Sequence, residues 1–201
     1  MLAARRSKHG PTWSAAAASG NLSAMEDDPQ MVLEKDFKSA MRMMAATVTL
    51  VTTSHEGKAH GMLATAVTSL SANPPSLLVC INRSASMHGP TDRSRRFCVN
   101  LLTREQAELS AEFGARAGGD RFKVGAWQRG LHDLPFVDGA AAAIFCTVEK
   151  QLDYGTHTIF VGRIDALEIG SQATPLVYQS GNMGSFVPLH APAIGNGRVS
   201  G

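Results

Sequence analysis

Two long β-type runs, about Ala141 to Asp153 and His157 to Ile169, are separated by little more than Gly155-Thr156. So short a connection joins antiparallel neighbours and cannot hold a parallel crossover. The rest of the chain offers more strands but few helices. Thr47 to Thr53 is β-branched, and Ser54-His55-Glu56-Gly57-Lys58 is a turn with glycine where a left-handed backbone is needed. A second strand-like run covers Met62 to Leu70 and stops at Asn73-Pro74-Pro75. Leu77 to Ile81 is wholly apolar and is expected to lie inside a sheet. Phe97 to Leu102 is a fourth strand.

The helical signals are short. Asp36 is expected to open a helix with Phe37, Met41 and Met44 on one face. Residues 83–96 are irregular or weakly helical, interrupted by Pro90. Thr103 with Gln106 forms a capping box for a helix reaching about Phe113. Residues 114–139 are a long connection rich in glycine, and Pro175 to Tyr178 starts a last short element. Strands and helices do not alternate, no Gly-x-Gly-x-x-Gly follows a strand, and there is no phosphate loop ending in Gly-Lys-Ser. The pattern fits a mainly β fold, a closed or nearly closed antiparallel barrel with a few peripheral helices.

Size and charge narrow the partners. The chain has 201 residues, 44% of them hydrophobic and 18% charged, with a net charge of +2. That suits one domain spanning 34–187, with a disordered extension over 1–33 and a flexible tail over 188–201. Arg93, Arg95 and Arg96 are the densest basic cluster, too small a stripe for nucleic acid. No apolar run approaches the roughly 20 residues that cross a bilayer. The basic N-terminus is not followed by a signal core. Cys80, Cys98 and Cys146 are odd in number and widely spaced, fitting neither a disulfide framework nor a zinc site. Free thiols suit a cytoplasmic protein.

Two stretches carry chemistry. Gly61 to Ser71 is strand-like yet full of small and hydroxyl residues. Small side chains let a flat, polar-edged ring approach the backbone, and hydroxyls add adjustable donors. The same stretch also fits a Thr/Ser-rich strand with one wet face. Asn82-Arg83-Ser84-Ala85-Ser86 leaves the apolar strand with donors that suit a phosphate, although an ordinary polar loop has the same composition.

The order of Met44 to Val48, Gly61 to Ser71, Asn73-Pro74-Pro75, Leu78 to Ser84 and Phe97 to Leu102 resembles the short-chain flavin reductases. These are the reductase components of two-component flavin monooxygenases. The likeness continues through Gln106, Leu109, Phe113, Asp120-Arg121-Phe122, Gly155 to Gly162 and Pro175 to Tyr178, covering about 35–186. It departs from the family at Thr156, often acidic, and at Pro90, where relatives have a continuous helix.

The resemblance implies an FMN-binding split β-barrel, a homodimer, FMN or FAD as cofactor and NADH or NADPH as electron donor. It implies that Leu63, Ala64, Thr65, Ala66, Thr68 and Ser69 line the flavin ring. Asn82, Arg83, Ser84, Ala85 and Ser86 would hold the phosphate. Asn100 and Leu101 would sit near the ring, and Arg121 or Phe122 would help close the site. His157, beside the tight turn, would act at the nicotinamide side as the catalytic residue. The implied reaction is NAD(P)H-dependent flavin reduction, with transient flavin transfer to a separate monooxygenase. The same fold would also suit a corrinoid reductase, a vitamer oxidase, or a flavin- or haem-binding module without activity.

Overall fold

The structure, a computed structural model, describes residues 28–171 and 174–189. The elements in chain order are α1 (Pro29–Arg42), β1 (Ala46–Thr47), β2 (Thr49–His55), β3 (Lys58–Ala64), β4 (Val67–Ala72), β5 (Pro75–Asn82), α2 (His88–Ser94) and β6 (Arg96–Leu101). They continue with α3 (Ala107–Ala115), β7 (Trp127–Arg129), β8 (Pro135–Val137), β9 (Ala142–Tyr154), β10 (His157–Ile169), β11 (Leu176–Gln179) and β12 (Asn182–Ser185). The chain divides into two units, Met1–Phe37 and Lys38–Gly201, with the boundary inside α1. The helix starts seven residues before Asp36 and buries none of its side chains, so the expected apolar face is not a core face. Most of the expected extension and tail, residues 1–27 and 190–201, lies outside the described residues.

The second unit is built on one seven-stranded antiparallel sheet in the order β3-β2-β6-β9-β10-β5-β4. Its two edge strands are consecutive in the chain, joined only by Thr65 and Ala66. A flat sheet would hold those edges about 29 Å apart, at about 4.8 Å per strand step. Three consecutive peptide units reach only about 11 Å. The sheet must therefore curl until β3 and β4 meet at that corner. Among the described residues these two strands do not pair, so the ring stays split.

This corner corrects the reading of Met62 to Leu70 as one strand. The run supplies the end of β3 and the start of β4, at opposite edges of the sheet. Its small and hydroxyl residues give no periodicity that would betray the bend. The apolar run Leu77 to Ile81 is interior as expected, between β10 and β4. The hairpin of β9 and β10 carries register shifts at Val161/Gly162 and Ile164/Ala166, which add local bend and twist.

The main core lies inside the curl: Val51, Val79, Ile81, Phe97, Val99, Cys146, Val148 and Phe160 are buried together. Gly162 makes room for it. A Cβ there would lie 2.4 Å from Phe97 Cζ and 2.9 Å from Cys146 Cβ. A second cluster joins Val48, Leu50, Leu102, Phe113, Val137 and Leu176, where the small sheet β1-β11-β12 packs.

Two further expectations need correction. Pro90 does not interrupt a helix, because it occupies the first turn of α2, where backbone N–H groups lack helical partners in any case. Residues 114–139 are not an open connection. They form a 3₁₀ turn at Gly118–Lys123 and the β7–β8 hairpin, and they bury Leu134, Phe136 and Val137.

Candidate functional site

The corner between β3 and β4 and the turn after β5 are bordered by a series of hollows that share residues. A groove of about 710 Å³ is lined by Thr65, Ala66, Val67, Thr68, Ser69 and Leu101, with Met44 to Thr47, Leu78, Cys80, Ile144 and Ile164. Thr65 also lines a smaller hollow with Leu63, Ala64 and Tyr178. Leu63 in turn lines a hollow of about 340 Å³ with Met62, Ala85, Ser86, Phe113 and Arg121. The strand that the sequence read as continuous thus feeds all three from a single bend.

Thr65 and Ala66 are exposed at the bend. The Thr49 hydroxyl donates to the Ala64 carbonyl at 2.6 Å, and Cys80 N–H donates to the Ala66 carbonyl at 3.0 Å. These bonds tie the corner to β2 and β5, and leave the small side chains facing the groove. A flat ring can approach backbone at such a place only because no bulky side chain stands in the way.

The turn after β5 is organised by Asn82. Its Oδ1 accepts from the Ser84 backbone N–H at 2.9 Å and from the Ser84 hydroxyl at 2.8 Å. This self-bonding is what an Asx turn does. It occupies Asn82 and Ser84 within the loop, while Ala85 and Ser86 reach the hollow. Arg83 turns the other way, bonding the Gly155 carbonyl through its guanidinium and the Thr156 carbonyl through its backbone N–H at 2.9 Å. It also lies 3.9 Å from the Asp153 carboxylate.

The Gly155-Thr156 turn is adjacent because β10 pairs with β5, with His157 opposite Asn82. His157 is exposed, and its Nδ1 lies 2.9 Å from the Thr156 hydroxyl. The structure thus brings the expected phosphate turn and nicotinamide-side turn together, although Asn82, Arg83, Ser84 and His157 lie outside the hollows just described.

Arg121 projects from the 3₁₀ turn. It donates to the Gly61 carbonyl at 2.9 Å and the Arg116 carbonyl at 2.7 Å, with its guanidinium 5.5 Å from the Phe113 ring centre. Phe122 packs edge-on against Phe113 and tilted against Trp127. Gly61 is small for a reason: a Cβ there would meet Phe113 and Phe122 at 3.0 and 3.2 Å.

Asn100 has a different place from the one expected. It is fully buried; its amide donates to the Leu50 carbonyl and its Oδ1 accepts from Val137 N–H, each at 2.9 Å. Its polar groups brace β2 against β8, and the side chain lines none of the three hollows. Its neighbour Leu101 does line the large groove. Sequence reasoning missed Met62, Cys80 and Ile164 as lining residues, because apolar side chains in strands signal core and carry no mark of a groove.

Residues 41–186 match the flavin reductase like domain. The chain belongs to that family. Among flavin reductase relatives, the reductase component of an FADH(2)-dependent resorcinol hydroxylase from Rhizobium sp. (strain MTP-10005) is 38% identical over 149 residues, covering 73% of this chain and 83% of the relative. The FMN reductase (NADH) RutF of Pseudomonas syringae pv. syringae is 39% identical over 158 residues, covering 78% and 88%. The crystal structure of nitrilotriacetate monooxygenase component B from Mycobacterium thermoresistibile superposes with a TM-score of 0.76 at 28% identity, covering 86% of this chain and 97% of that one. The mainly β fold agrees with the split barrel expected for a flavin reductase.

Proposed function

We propose that this protein reduces FMN or FAD with a reduced nicotinamide nucleotide and hands the product to a separate monooxygenase. The observation that carries this is the set of three largely apolar hollows bordering the β3–β4 corner, which share Thr65 and Leu63, the last of them lined by Ser86 and Arg121. A flavin is a flat ring joined through a chain to a phosphate; the apolar hollows would take the ring, and Ser86 with Arg121 the phosphate. The names of the relatives point the same way.

The flavin and nicotinamide supply the hydride chemistry between them; the protein supplies binding and orientation. Leu63 to Thr65 would receive the ring, with the Thr65 hydroxyl as an adjustable donor. Ser86 and Arg121 would hold the phosphate. Arg121 spends two of its five N–H donors on backbone carbonyls and keeps three for an anion. His157, on the turn clamped to the phosphate loop, would meet the nicotinamide nucleotide. The open groove suits a flavin that must leave again.

We also read the protein as a cytoplasmic homodimer. Leu152 and Tyr154 at the turn end of the β9–β10 hairpin, Leu167 and Ile169 at its far end, and Leu70 on β4 are more than half exposed, apolar area that a second copy would bury. No helix among the described residues is long and apolar enough to cross a membrane. The deciding experiment is oxidation of NADH and NADPH by the purified protein with FMN, FAD and riboflavin. Turnover with free flavin supports the reading; flavin binding without nicotinamide oxidation overturns it.

A further inference from the structure

β3 carries Lys58 and His60 beyond the hollow shared by Leu63 and Ser86, into a second one of about 300 Å³. Ser86 and Arg121 belong to both hollows. The remaining walls are Ala59, Phe122 and the glycines 61, 118 and 119, and no carboxylate is among them. Glu56 instead lies 3.7 Å from His55, and Asp120 is paired with Lys123 at 2.6 Å.

The hollow itself therefore holds two cations, Lys58 and Arg121, and no lining carboxylate. His55 and Arg93 stand close enough to act on His60. Burial, followed by the fields of His55, Lys58 and Arg93, pushes the His60 imidazole below its ordinary range. Among the described residues, the Lys58 ammonium, the His60 ring and the Ser86 hydroxyl have no hydrogen-bond or ion-pair partner. Cations crowded into a concave site with idle donors are what an anion needs.

The placement suggests which anion. A strand rises about 3.3 Å per residue, so Leu63 and Lys58 are separated by about 17 Å along β3. Ser86 and Arg121 already provide for one phosphate at the junction of the hollows. We propose that the Lys58–His60 end is a second phosphate subsite, for a nucleotide phosphate additional to the flavin's own 5′-phosphate. That chemistry is shared by the adenylate phosphate of FAD and the 2′-phosphate of NADPH. The proposal rests on the flavin reading of the neighbouring hollow, and it makes Lys58 and His60 residues that set nucleotide preference.

The test uses the full-length protein with Lys58→Ala and His60→Gln. FMN and FAD affinities are read by flavin fluorescence titration, and KM values for NADH and NADPH by steady-state kinetics. If FAD fills the subsite, its Kd rises about fivefold or more while that of FMN stays within about twofold. If NADPH fills it, its KM rises by a similar factor while NADH and both flavins are unaffected. Equal weakening of FMN and FAD, or no change for any of the four, overturns the subsite. A wild-type protein that binds neither flavin overturns the flavin reading and this proposal with it, and that is visible before any variant is made. Lys58 is exposed, so its truncation leaves the fold intact, and circular dichroism of both variants checks this.

Discussion

His157 lies directly opposite Asn82 in the antiparallel pairing of β10 with β5. Residues 75 positions apart in sequence thus place two turns side by side, one from each strand end. The Arg83 backbone and guanidinium both bond the Gly155-Thr156 turn, so the turns are fastened to one another.

That fastening makes His157 a sharp test of the nicotinamide side. We expect His157→Ala to leave oxidised flavin binding nearly unchanged. It should raise KM for the reduced nicotinamide, or slow flavin reduction, by roughly threefold to tenfold, the worth of one hydrogen bond of about 0.5–1.5 kcal/mol. Stopped-flow flavin reduction over a range of nicotinamide concentrations separates the two effects. Wild-type values for both would leave His157 as a turn residue only.

A buried hydroxyl behind these turns should matter more for stability. Thr158 is 1% exposed, and its hydroxyl donates to Asp153. Its single hydrogen is then used, so the 2.8 Å contact with His88 Nε2 requires the imidazole nitrogen to be the donor. The chain His88–Thr158–Asp153 joins the start of α2 to the β9–β10 hairpin. Thr158→Val keeps the shape but leaves the half-buried His88 nitrogen without its partner, while exposed Asp153 turns to water, so the cost is that of one net hydrogen bond, about 0.5–1.5 kcal/mol. Urea denaturation measures it. A loss below about 0.5 kcal/mol would mean that water or a shifted rotamer replaces the hydroxyl.

Much of this arrangement was legible in the sequence, for identifiable reasons. The β9–β10 hairpin declared itself through two long strand-like runs and one tight turn, and Gly57 (φ +70°) is left-handed as its turn required. The corner at Thr65-Ala66 was not legible, because a bend made by small residues leaves no break in strand propensity. Asn100, placed near the ring by the resemblance, has a structural role that the sequence does not show. A polar residue in an apolar strand carries no mark of its partners, and only the fold shows that its amide bonds the Leu50 carbonyl and the Val137 N–H. Lys58 and His60 passed unnoticed since the hollow they line is closed by residues 118–122, sixty positions away.

The three thiols should behave unequally. Burial, reinforced by neighbouring Cys146, pushes the Cys98 thiol far up; burial and then Asp165 push Cys146 up to about 12. Neither forms a thiolate near neutral pH, and the thiolate is the reactive form. Cys80 is only half-buried and lines the large groove. A thiol-specific reagent should therefore modify one cysteine in the native protein and three after denaturation, with Cys80 identified by peptide mapping. Bound flavin should slow that single reaction if it fills the groove. Rapid native labelling of Cys98 or Cys146 would contradict the core packing.

Gly162 offers the most direct test of the curl itself. It sits at the register shift of β10, where a Cβ would approach Phe97 Cζ to 2.4 Å. Phe97 is fully buried in the main core, so its ring has no solvent to retreat into. Gly162→Ala must displace Phe97 or flatten the bulge, and overpacking of this kind costs about 1–3 kcal/mol. For a domain of this size that is a fall of roughly 3–10 °C in Tm. Phe97→Leu should partly rescue Gly162→Ala, because shortening the ring vacates the space that the methyl needs. In a double-mutant cycle the two changes would then be less than additive. Strict additivity would place the strain elsewhere, on the backbone of β10 and not on the contact with Phe97.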